Sequence, residues 1–289
     1  MCTVENIPKY LGKLNNEIEA MTAGRDNLCS VSGLDYSGQS LPDYQDHLVQ
    51  KVHNGRYAYS YYHVYRGMMG AAFSFLGKRE EYRVLSVGCG SCIDLLAARS
   101  VTEARVNYQG VDPVSWSDRA SGTQGIPLIQ ALSRAADYFS QDWIFSYDVL
   151  SFPMSFSEMG EQDLNAFLRA LGSRMGADRF ALAMALRTNR MTWDEDMRRL
   201  GLVVDAASVG GFRYSFLAES PDERGAYVCR QEQDYQYPKD LIRLLGNLNE
   251  HCHCAAGCPW QQTCAARMNR YPMLRTGYVK YVVMGFERD

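Results

Sequence analysis

Short apolar runs alternate with longer amphipathic stretches from residue 82 onward. Short apolar runs are typical of strands buried on both faces, whereas apolar residues spaced three and four apart are typical of helices. The pattern predicts strands at 83–87, 106–111, about 127–132, 148–152, 180–185, 212–219 or 226–230, and 278–286. It predicts helices at 93–100, 158–174, 193–200 and 238–248. This alternation predicts an α/β fold with a mostly parallel sheet and helices on both faces.

The first 80 residues have a different, helical pattern. A first helix is predicted where Leu11, Leu14, Ile18 and Met21 recur at helical spacing, and a second over about 43–75. Tyrosines crowd the segment 57–65, and we interpret them as core packing in preference to a platform that stacks a ligand. We therefore predict a helical N-terminal extension over 1–80 and a main domain over 81–289.

The composition is that of an ordinary globular protein, with 46% hydrophobic and 22% charged residues. The apolar stretches are shorter than the roughly 18 residues of a membrane span, and the polar start lacks the apolar region of a signal peptide. We therefore expect a soluble, cytoplasmic protein with no membrane partner. The net charge of -3 provides no global attraction for nucleic acid, so partners must be inferred from local features.

A strand, a glycine turn and the start of a helix follow one another in VLSVGCGSCIDLL, residues 84–96. Glycine tolerates positive φ and has no side chain, so such a turn lets the backbone approach a ligand closely. A dinucleotide-binding sequence would have a third glycine where Ile93 stands. Its absence favours a ligand that brings no phosphate to the helix N-terminus.

Asp112 follows Gly90 by 22 residues, at the end of the next predicted strand. A carboxylate there can accept both hydrogen bonds of a ribose diol, although it can also cap the loop ahead of Pro113. Trp116 either covers one face of an adenine or packs in the core.

These segments, with YDVLSFPMSFSEM at 147–159 and YVKYVVMGFER at 278–288, resemble the class I S-adenosylmethionine-dependent methyltransferases over about 82–288. The resemblance implies a Rossmann-like seven-stranded sheet with an antiparallel last strand. It also implies that S-adenosylmethionine lies across the carboxyl ends of the first strands. Gly88, Cys89 and Gly90 would then contact the methionine moiety and Asp112 the ribose. Trp116 and Phe152 complete the candidate cofactor contacts.

Two positions depart from the family pattern. The family often has an acid where Ser86 stands, and often an Asp after the third strand, where this chain has Leu132, Ser133 and the later Asp137. The sequence thus leaves open how the cofactor's amino group is held and how its adenine amine is recognised.

Methyl transfer from a sulfonium requires alignment and desolvation, and needs a base only when the acceptor must lose a proton. The one candidate catalytic residue is Glu158, beyond the fourth predicted strand. We favour a capping arrangement in which Ser155 or Ser157 is a helix N-cap and Glu158 a first-turn acid. The segment lacks the Asn-Pro-Pro-Tyr type of sequence used by amino-methylating DNA enzymes. A small molecule, RNA or protein all remain open as the acceptor.

Four of the nine cysteines fall within one short segment, as Cys252, Cys254, Cys258 and Cys264. Four thiolates at such spacing can hold a tetrahedral zinc ion or an iron-sulfur cluster. We predict a structural metal in an insertion at 251–264, zinc in preference to an iron-sulfur cluster, with reduced free thiols as the alternative.

Arg267, Arg270, Arg275 and Lys280 follow the cysteines in a segment without acids. They form a candidate nucleic-acid surface, or they are solvated side chains that offset charges elsewhere, including those of the thiolates. The sequence therefore supports two functions, and a third, an S-adenosylmethionine enzyme of another reaction type such as aminopropyl transfer, stays open. The first is S-adenosylmethionine-dependent methyl transfer, and the second is a non-catalytic factor that binds RNA or protein through a metal-stabilised loop.

Overall fold

A computed structural model describes residues 7–25, 27–34, 42–117, 131–132, 134–142, 144–188, 190–220, 237–253, 263–274 and 277–288. The helices are α1 (Ile7–Ala23), α2 (His47–Leu76), α3 (Ile93–Ser100), α4 (Ala135–Phe139), α5 (Glu161–Arg174), α6 (Arg190–Val209), α7 (Lys239–Gly246) and α8 (Cys264–Met268). The strands are β1 (Glu81–Val87), β2 (Arg105–Asp112), β3 (Ala131–Leu132), β4 (Val149–Pro153), β5 (Arg179–Arg187), β6 (Phe212–Glu219) and β7 (Val279–Arg288). Short 3-10 helices lie at Cys29–Leu34, Phe156–Glu158 and Leu248–His251.

The strands form one mixed sheet in the order β3-β2-β1-β4-β5-β7-β6. The pairs β1–β2, β2–β3, β1–β4 and β4–β5 are parallel, whereas β7 runs antiparallel to both β5 and β6. The predicted α/β fold with an antiparallel last strand is thus confirmed. Six of the strands have five or more residues, whereas the seventh, β3 at the edge of the sheet, has only two. Most of the predicted third strand, 127–130, lies outside the described residues.

The sequence of β5 explains why helices cover both faces. Successive side chains of a strand point to opposite faces. The large side chains of Phe180, Leu182, Met184 and Leu186 belong to one hydrophobic cluster, together with α4, α5 and α6. The alanines between them, at 181, 183 and 185, belong to a second cluster with α1, α2, α3 and α7. Their small side chains leave room for the long helix α2 to pack on the sheet.

Helix α6 and strand β6 refine the sequence prediction. Helix α6 is longer than the predicted 193–200, since Leu200, Val203 and Ala207 continue its buried face. The sixth strand is the first of the two alternatives, and 226–230 lies outside the described residues. None of the helices in the described ranges is long and apolar enough to cross a membrane.

The described part of the N-terminal extension packs into the same core as the sheet. Leu14 of α1 and Met68 of α2 lie in one hydrophobic cluster with Val84 of β1 and Val283 of β7. Tyr59 is also fully buried there, in agreement with the packing interpretation of the tyrosine segment. Helix α2 is therefore positioned by the sheet and can contribute to a site at the strand ends.

The amino end of α2 is held by one carboxylate. Asp46 is the N-cap and accepts a hydrogen bond from the Leu48 N–H at 2.8 Å. The Arg25 guanidinium donates to both oxygens of Asp46, at 2.8 and 2.9 Å, and the Ser30 hydroxyl donates at 2.7 Å. Burial opposes ionisation, but these hydrogen bonds outweigh it and lower the pKa of Asp46 to about 2. The carboxylate thus ties the start of α2 to the segment that follows α1.

We expect Asp46→Asn to lower the free energy of unfolding by about 1 kcal/mol near neutral pH. The variant loses the negative charge that pairs with Arg25 and accepts the capping hydrogen bond, and water partly screens that charge. The folded-state pKa is lower than the unfolded one, so this stabilisation is present above about pH 4 and is lost as the pH falls toward about 2. Urea unfolding of both proteins over this range measures the difference. A difference that stays constant from neutral pH to pH 2 would contradict the assignment.

Candidate functional site

The glycine turn after β1 lies against the end of β2. Gly88 and Gly90 have φ values of 68° and 51°. The Gly88 N–H donates to the Val111 carbonyl at 2.7 Å, and the Gly90 N–H donates to Asp112 Oδ2 at 2.8 Å. A Cβ atom at position 88 would lie 2.4 Å from that of Ser155, so this position requires glycine for its space as well as its φ. The turn and the carboxylate therefore meet at one place.

Asp112 is a buried carboxylate, 6% exposed, that receives backbone hydrogen bonds. Oδ2 accepts from Gly90, and Oδ1 accepts from the Val114 N–H at 2.9 Å. Burial raises the pKa of Asp112 above its ordinary value, while the two amides favour the ionised form. A carboxylate has about four acceptor positions, so Asp112 can bind these amides and still accept from a ligand.

A cavity of about 290 Å³ opens at the carboxyl ends of β1, β2 and β4. Its wall includes most of the predicted cofactor contacts, namely Gly88, Cys89, Gly90, Asp112 and Trp116. Phe152 is not part of this wall. Its ring is fully buried in the core beside Phe156 and Phe167, at centroid distances of 5.5 and 5.1 Å. The assignment of Phe152 is corrected accordingly, because its side chain points to the face that α5 covers.

Aromatic side chains from α2 and the segment before it form another part of the cavity wall. Tyr44, His53, Tyr61 and Tyr65 line it. The Tyr44 and His53 rings lie 5.3 and 6.0 Å from the Trp116 ring. The crowding of tyrosines in the sequence is the signal for this wall, although the sequence pattern favours core packing over a platform that stacks a ligand. Tyr44 and His53 stand in no recognisable motif.

His53 is a neutral imidazole at physiological pH. Burial lowers its pKa to about 3, and the positive charges of Arg56 and Arg187 act in the same direction. Its Nδ1 lies 3.3 Å from the Tyr44 hydroxyl. A neutral imidazole offers both a donor and an acceptor, so His53 can orient a ligand without adding charge to the cavity.

Glu158 lines the cavity and pairs with a cation from another element. The Arg187 guanidinium, at the end of β5, donates to Glu158 Oε1 at 2.8 Å. Burial raises the pKa of Glu158, the negative charge of Asp112 adds to this, and Arg187 opposes it. A carboxyl group with a raised pKa beside a ligand cavity is suited to accept a proton.

The predicted capping arrangement around Glu158 is confirmed in position only, because Ser155 is the N-cap residue and Glu158 lies in the first turn. The 3-10 helix Phe156–Glu158 has no side-chain cap. The Ser155 hydroxyl donates to the Val87 carbonyl instead, and the Ser157 hydroxyl donates to Asp196 Oδ2 at 2.7 Å. Both serines therefore attach this segment to other elements, which leaves Glu158 in the cavity wall.

Ser86 does not face a ligand but hydrogen-bonds to a buried acid on α3. Its hydroxyl donates to Asp94 Oδ2 at 2.7 Å, as does that of Ser151 at 2.9 Å. The Tyr108 hydroxyl donates to Asp94 Oδ1 at 2.7 Å. Burial raises the pKa of Asp94, and the hydroxyl donors oppose this shift. The carboxylate thus ties β1, β2 and β4 to the first turn of α3.

Asp163 of α5 places a carboxylate near the end of β3, although the residues that directly follow this strand in the sequence include no acid. Asp137 is exposed and is not part of the cavity wall. Asp163, in contrast, lines the cavity beside Arg134. Its Oδ1 accepts from the Ala136 N–H at 2.7 Å, and its Oδ2 lies 3.5 Å from an Arg134 nitrogen. Sequence reasoning missed Asp163 because it is contributed by a distant helix.

The structure describes two of the four clustered cysteines, Cys252 and Cys264; Cys254 and Cys258 lie outside the described residues. The Leu28 N–H donates to Cys252 Sγ at 3.3 Å. Helix α8, which begins at Cys264, packs against the 3-10 helix that begins at Cys29. Among the described residues, no group of three His, Cys, Asp or Glu side chains is arranged to hold a metal ion. The metal site remains a prediction.

The basic residues near the end of the chain lie on separate elements. Arg267 is in α8, Arg270 follows it, and Lys280 on β7 lies 5.9 Å from the Trp193 ring centroid. Arg275 lies outside the described residues. The nucleic-acid surface also remains a prediction.

We expect Asp94→Ala to lower the free energy of unfolding by about 2–5 kcal/mol, because three buried hydroxyls lose their common acceptor. Urea denaturation followed by tryptophan fluorescence measures this change. Asp205→Ala, at an exposed position of α6, is the matched control and should change stability by at most about 0.5 kcal/mol. Equal stability of the two variants would show that the Asp94 hydrogen bonds contribute little.

No protein-family model matches this chain, and no curated protein matches it. Solved structures do. One is the 1,6-didemethyltoxoflavin-N1-methyltransferase of Burkholderia thailandensis with bound 1,6-didemethyltoxoflavin and S-adenosylhomocysteine. It is 12% identical, covers 78% of this chain and 79% of its own, and has a TM-score of 0.45.

Two further similar structures differ in what their names describe. The plantazolicin methyltransferase BpumL with S-adenosylhomocysteine is 12% identical, covers 96% of this chain and 100% of its own, and has a TM-score of 0.41. The [4+2]-cyclase SpnF is 13% identical, covers 77% and 79%, and has a TM-score of 0.41.

Proposed function

We propose that this protein transfers a methyl group from S-adenosylmethionine to an acceptor bound in the same cavity. The observation that carries the proposal is the convergence of the glycine turn at 88–90 and the buried carboxylate of Asp112 on one cavity. An adenosyl ligand needs a close backbone approach and an acceptor for its ribose hydroxyls at adjacent strand ends. The residues present fit both needs.

The cofactor-binding part of the cavity has a residue for each part of the ligand. S-adenosylmethionine supplies a methyl group on a positively charged sulfur, so the protein has to bind and align it. Asp112 accepts hydrogen bonds from the ribose hydroxyls, and the backbone at 88–90 contacts the methionine moiety. Trp116 covers the adenine, and Asp163 is the carboxylate in the wall that can accept from the adenine amine.

The remaining wall serves the acceptor. Tyr61 and Tyr65 exclude water from the reacting groups, which strengthens electrostatic interactions in the cavity. Glu158 accepts the proton of an acceptor that must lose one, and Arg187 fixes the orientation of its carboxyl group. His53 donates or accepts a hydrogen bond without changing the net charge.

We expect the wild-type protein to bind S-adenosylhomocysteine, and Asp112→Ala to weaken this binding by about 1–3 kcal/mol, because the ribose diol loses a buried, charged acceptor. Isothermal titration calorimetry measures both affinities. Asp205→Ala, at an exposed position of α6, should bind as the wild type does.

Failure of the wild type to bind either S-adenosylmethionine or S-adenosylhomocysteine would refute methyl transfer and favour the non-catalytic alternative. Unchanged affinity of Asp112→Ala, with binding intact, would move the ribose site elsewhere.

We also propose that Cys252, Cys254, Cys258 and Cys264 bind a structural metal ion, with zinc preferred over an iron-sulfur cluster. The hydrogen bond from Leu28 to Cys252 Sγ supports a thiolate there, since backbone amides stabilise negative sulfur. A fully buried guanidinium, that of Arg56, donates to the Met268 carbonyl one turn after Cys264. Positive charge in this region favours a metal-thiolate group, whose net charge is negative.

The protein as purified should contain about one zinc ion per chain, and Cys258→Ser should lose it together with thermal stability, because metal–thiolate bonds that form only in the folded chain add to the stability of the fold. Elemental analysis measures the metal, and visible absorbance distinguishes zinc from iron-sulfur. Cys2→Ser is the control and should keep the metal. Protein that is free of metal, fully reduced and as stable as a metal-loaded sample would contradict the proposal.

A further inference from the structure

Two cysteines lie three residues apart in the glycine turn, where their backbones form a hydrogen-bonded turn. The Cys92 N–H donates to the Cys89 carbonyl at 2.8 Å. This i to i+3 bond defines a β-turn, in which the two Cα atoms are less than about 7 Å apart. Disulfides bridge Cα separations of about 4.4–6.8 Å, so the turn brings Cys89 and Cys92 within bonding range.

The two side chains also meet. The Cys89 and Cys92 side chains lie within hydrogen-bonding range of each other, and both residues are buried, at 4% and 2% exposure. Neither is in a disulfide in this structure. A Cβ atom on Gly110 of β2 would lie 2.6 Å from Cys89 Sγ, so a glycine there makes the space that this sulfur occupies.

Only one of the two thiols is reached from the cavity. Cys89 lines the cavity, whereas Cys92 is not among the residues of its wall. A small oxidant that enters the cavity therefore meets Cys89 first, with Cys92 behind it as the resolving thiol. A ligand on the glycine turn would cover the same entrance.

We propose that Cys89 and Cys92 form a reversible disulfide when the cavity is empty, and that this bond weakens binding of the adenosyl cofactor. The second half of this inference rests on the proposed function. With hydrogen peroxide as oxidant, the Cys89 thiolate attacks one peroxide oxygen, which gives a sulfenic acid and releases hydroxide. The Cys92 thiolate then attacks the Cys89 sulfur and displaces a second hydroxide. Two thiols and one peroxide thus yield one disulfide and two waters.

The disulfide would disturb the turn at the position that binds the cofactor. A disulfide places the sulfurs about 2.05 Å apart, far closer than two hydrogen-bonded thiols. Gly90 lies between the two cysteines and donates to Asp112, and Cys92 already has a φ of 61°, unusual for a residue with a side chain. Contraction of this turn displaces the Gly90 N–H and, with it, the alignment of Asp112.

The Cys89 thiol is held in a form that reacts slowly near neutral pH. The hydrogen bond to Cys92 raises the pKa of the Cys89 thiol, burial raises it further, and the negative charges of Asp112 and Asp94 add to both. The thiolate is the reactive species, so the rate of oxidation should rise about tenfold per pH unit below that pKa.

The test uses the full chain, reduced, desalted and then exposed to hydrogen peroxide with and without S-adenosylhomocysteine. Free thiols are alkylated and the protein is digested with trypsin, which cuts after Arg83 and Arg99. The resulting peptide, 84–99, contains Cys89 and Cys92 and no other cysteine. We expect it to become lighter by two hydrogen atoms and to escape alkylation, with dithiothreitol reversing the change and saturating ligand slowing it at least tenfold.

Calorimetry on the same samples should show a loss of at least tenfold in affinity for S-adenosylhomocysteine after oxidation. Cys92→Ser should form no disulfide in peptide 84–99 under peroxide, and Cys29→Ser, outside the glycine turn, should behave as the wild type. Full alkylation of peptide 84–99 after peroxide treatment would overturn the disulfide. A disulfide that leaves the affinity unchanged would overturn its effect on the site. If the reduced wild type does not bind the ligand, the proposed function fails, whereas the peptide analysis still decides whether the disulfide forms.

Discussion

The hydrogen bond from the Gly90 N–H to Asp112 Oδ2 is the contact on which the candidate site depends. It joins the end of β1 to the end of β2 at the point where both strands reach the cavity. Because the Asp112 carboxylate is buried, its charge would be costly without such donors, and the amides of Gly90 and Val114 supply them. The same bond fixes the turn in the open shape that glycine φ values allow, so the carboxylate and the turn stabilise each other.

Helix α2 is a structural wall of this site because buried polar side chains bind it to the strand ends. Gln50 is fully buried, and its amide nitrogen donates to the carbonyl oxygens of Tyr44 and Ser115 at 2.7 and 3.0 Å. Its amide oxygen accepts from the Ser117 N–H and hydroxyl, each at 2.9 Å. A neutral group with all its hydrogen bonds made inside the protein fixes geometry without a cost in charge. The aromatic residues of α2 therefore keep their place relative to Trp116.

The sequence predicted those parts of the site that depend on local order along a strand. A glycine turn after one parallel strand and an acid after the next must meet, because the carboxyl ends of parallel strands share one edge of the sheet. The partners of Glu158 and Asp94 could not be foreseen in this way. Arg187 and Ser151 reach them from other strands, and their distances depend on how helices and strands pack in three dimensions. Phe152 was misplaced because its position near the end of the fourth strand does not determine whether its side chain reaches the cavity or packs under α5.

The position of Asp94 explains why a hydroxyl stands at residue 86. Asp94 lies in the first turn of α3, where the helix dipole favours a negative charge, and hydroxyls from β1, β2 and β4 converge on it. An acid at position 86 would place a second carboxyl group within hydrogen-bonding distance of the first. Two carboxylates so close in a buried site cannot both ionise, so one would have to hold a proton or move away. Ser86 instead supplies a donor. A hydroxyl at residue 86 therefore fits the buried acid on the helix, and Ser86 and Asp94 have to be considered as one unit.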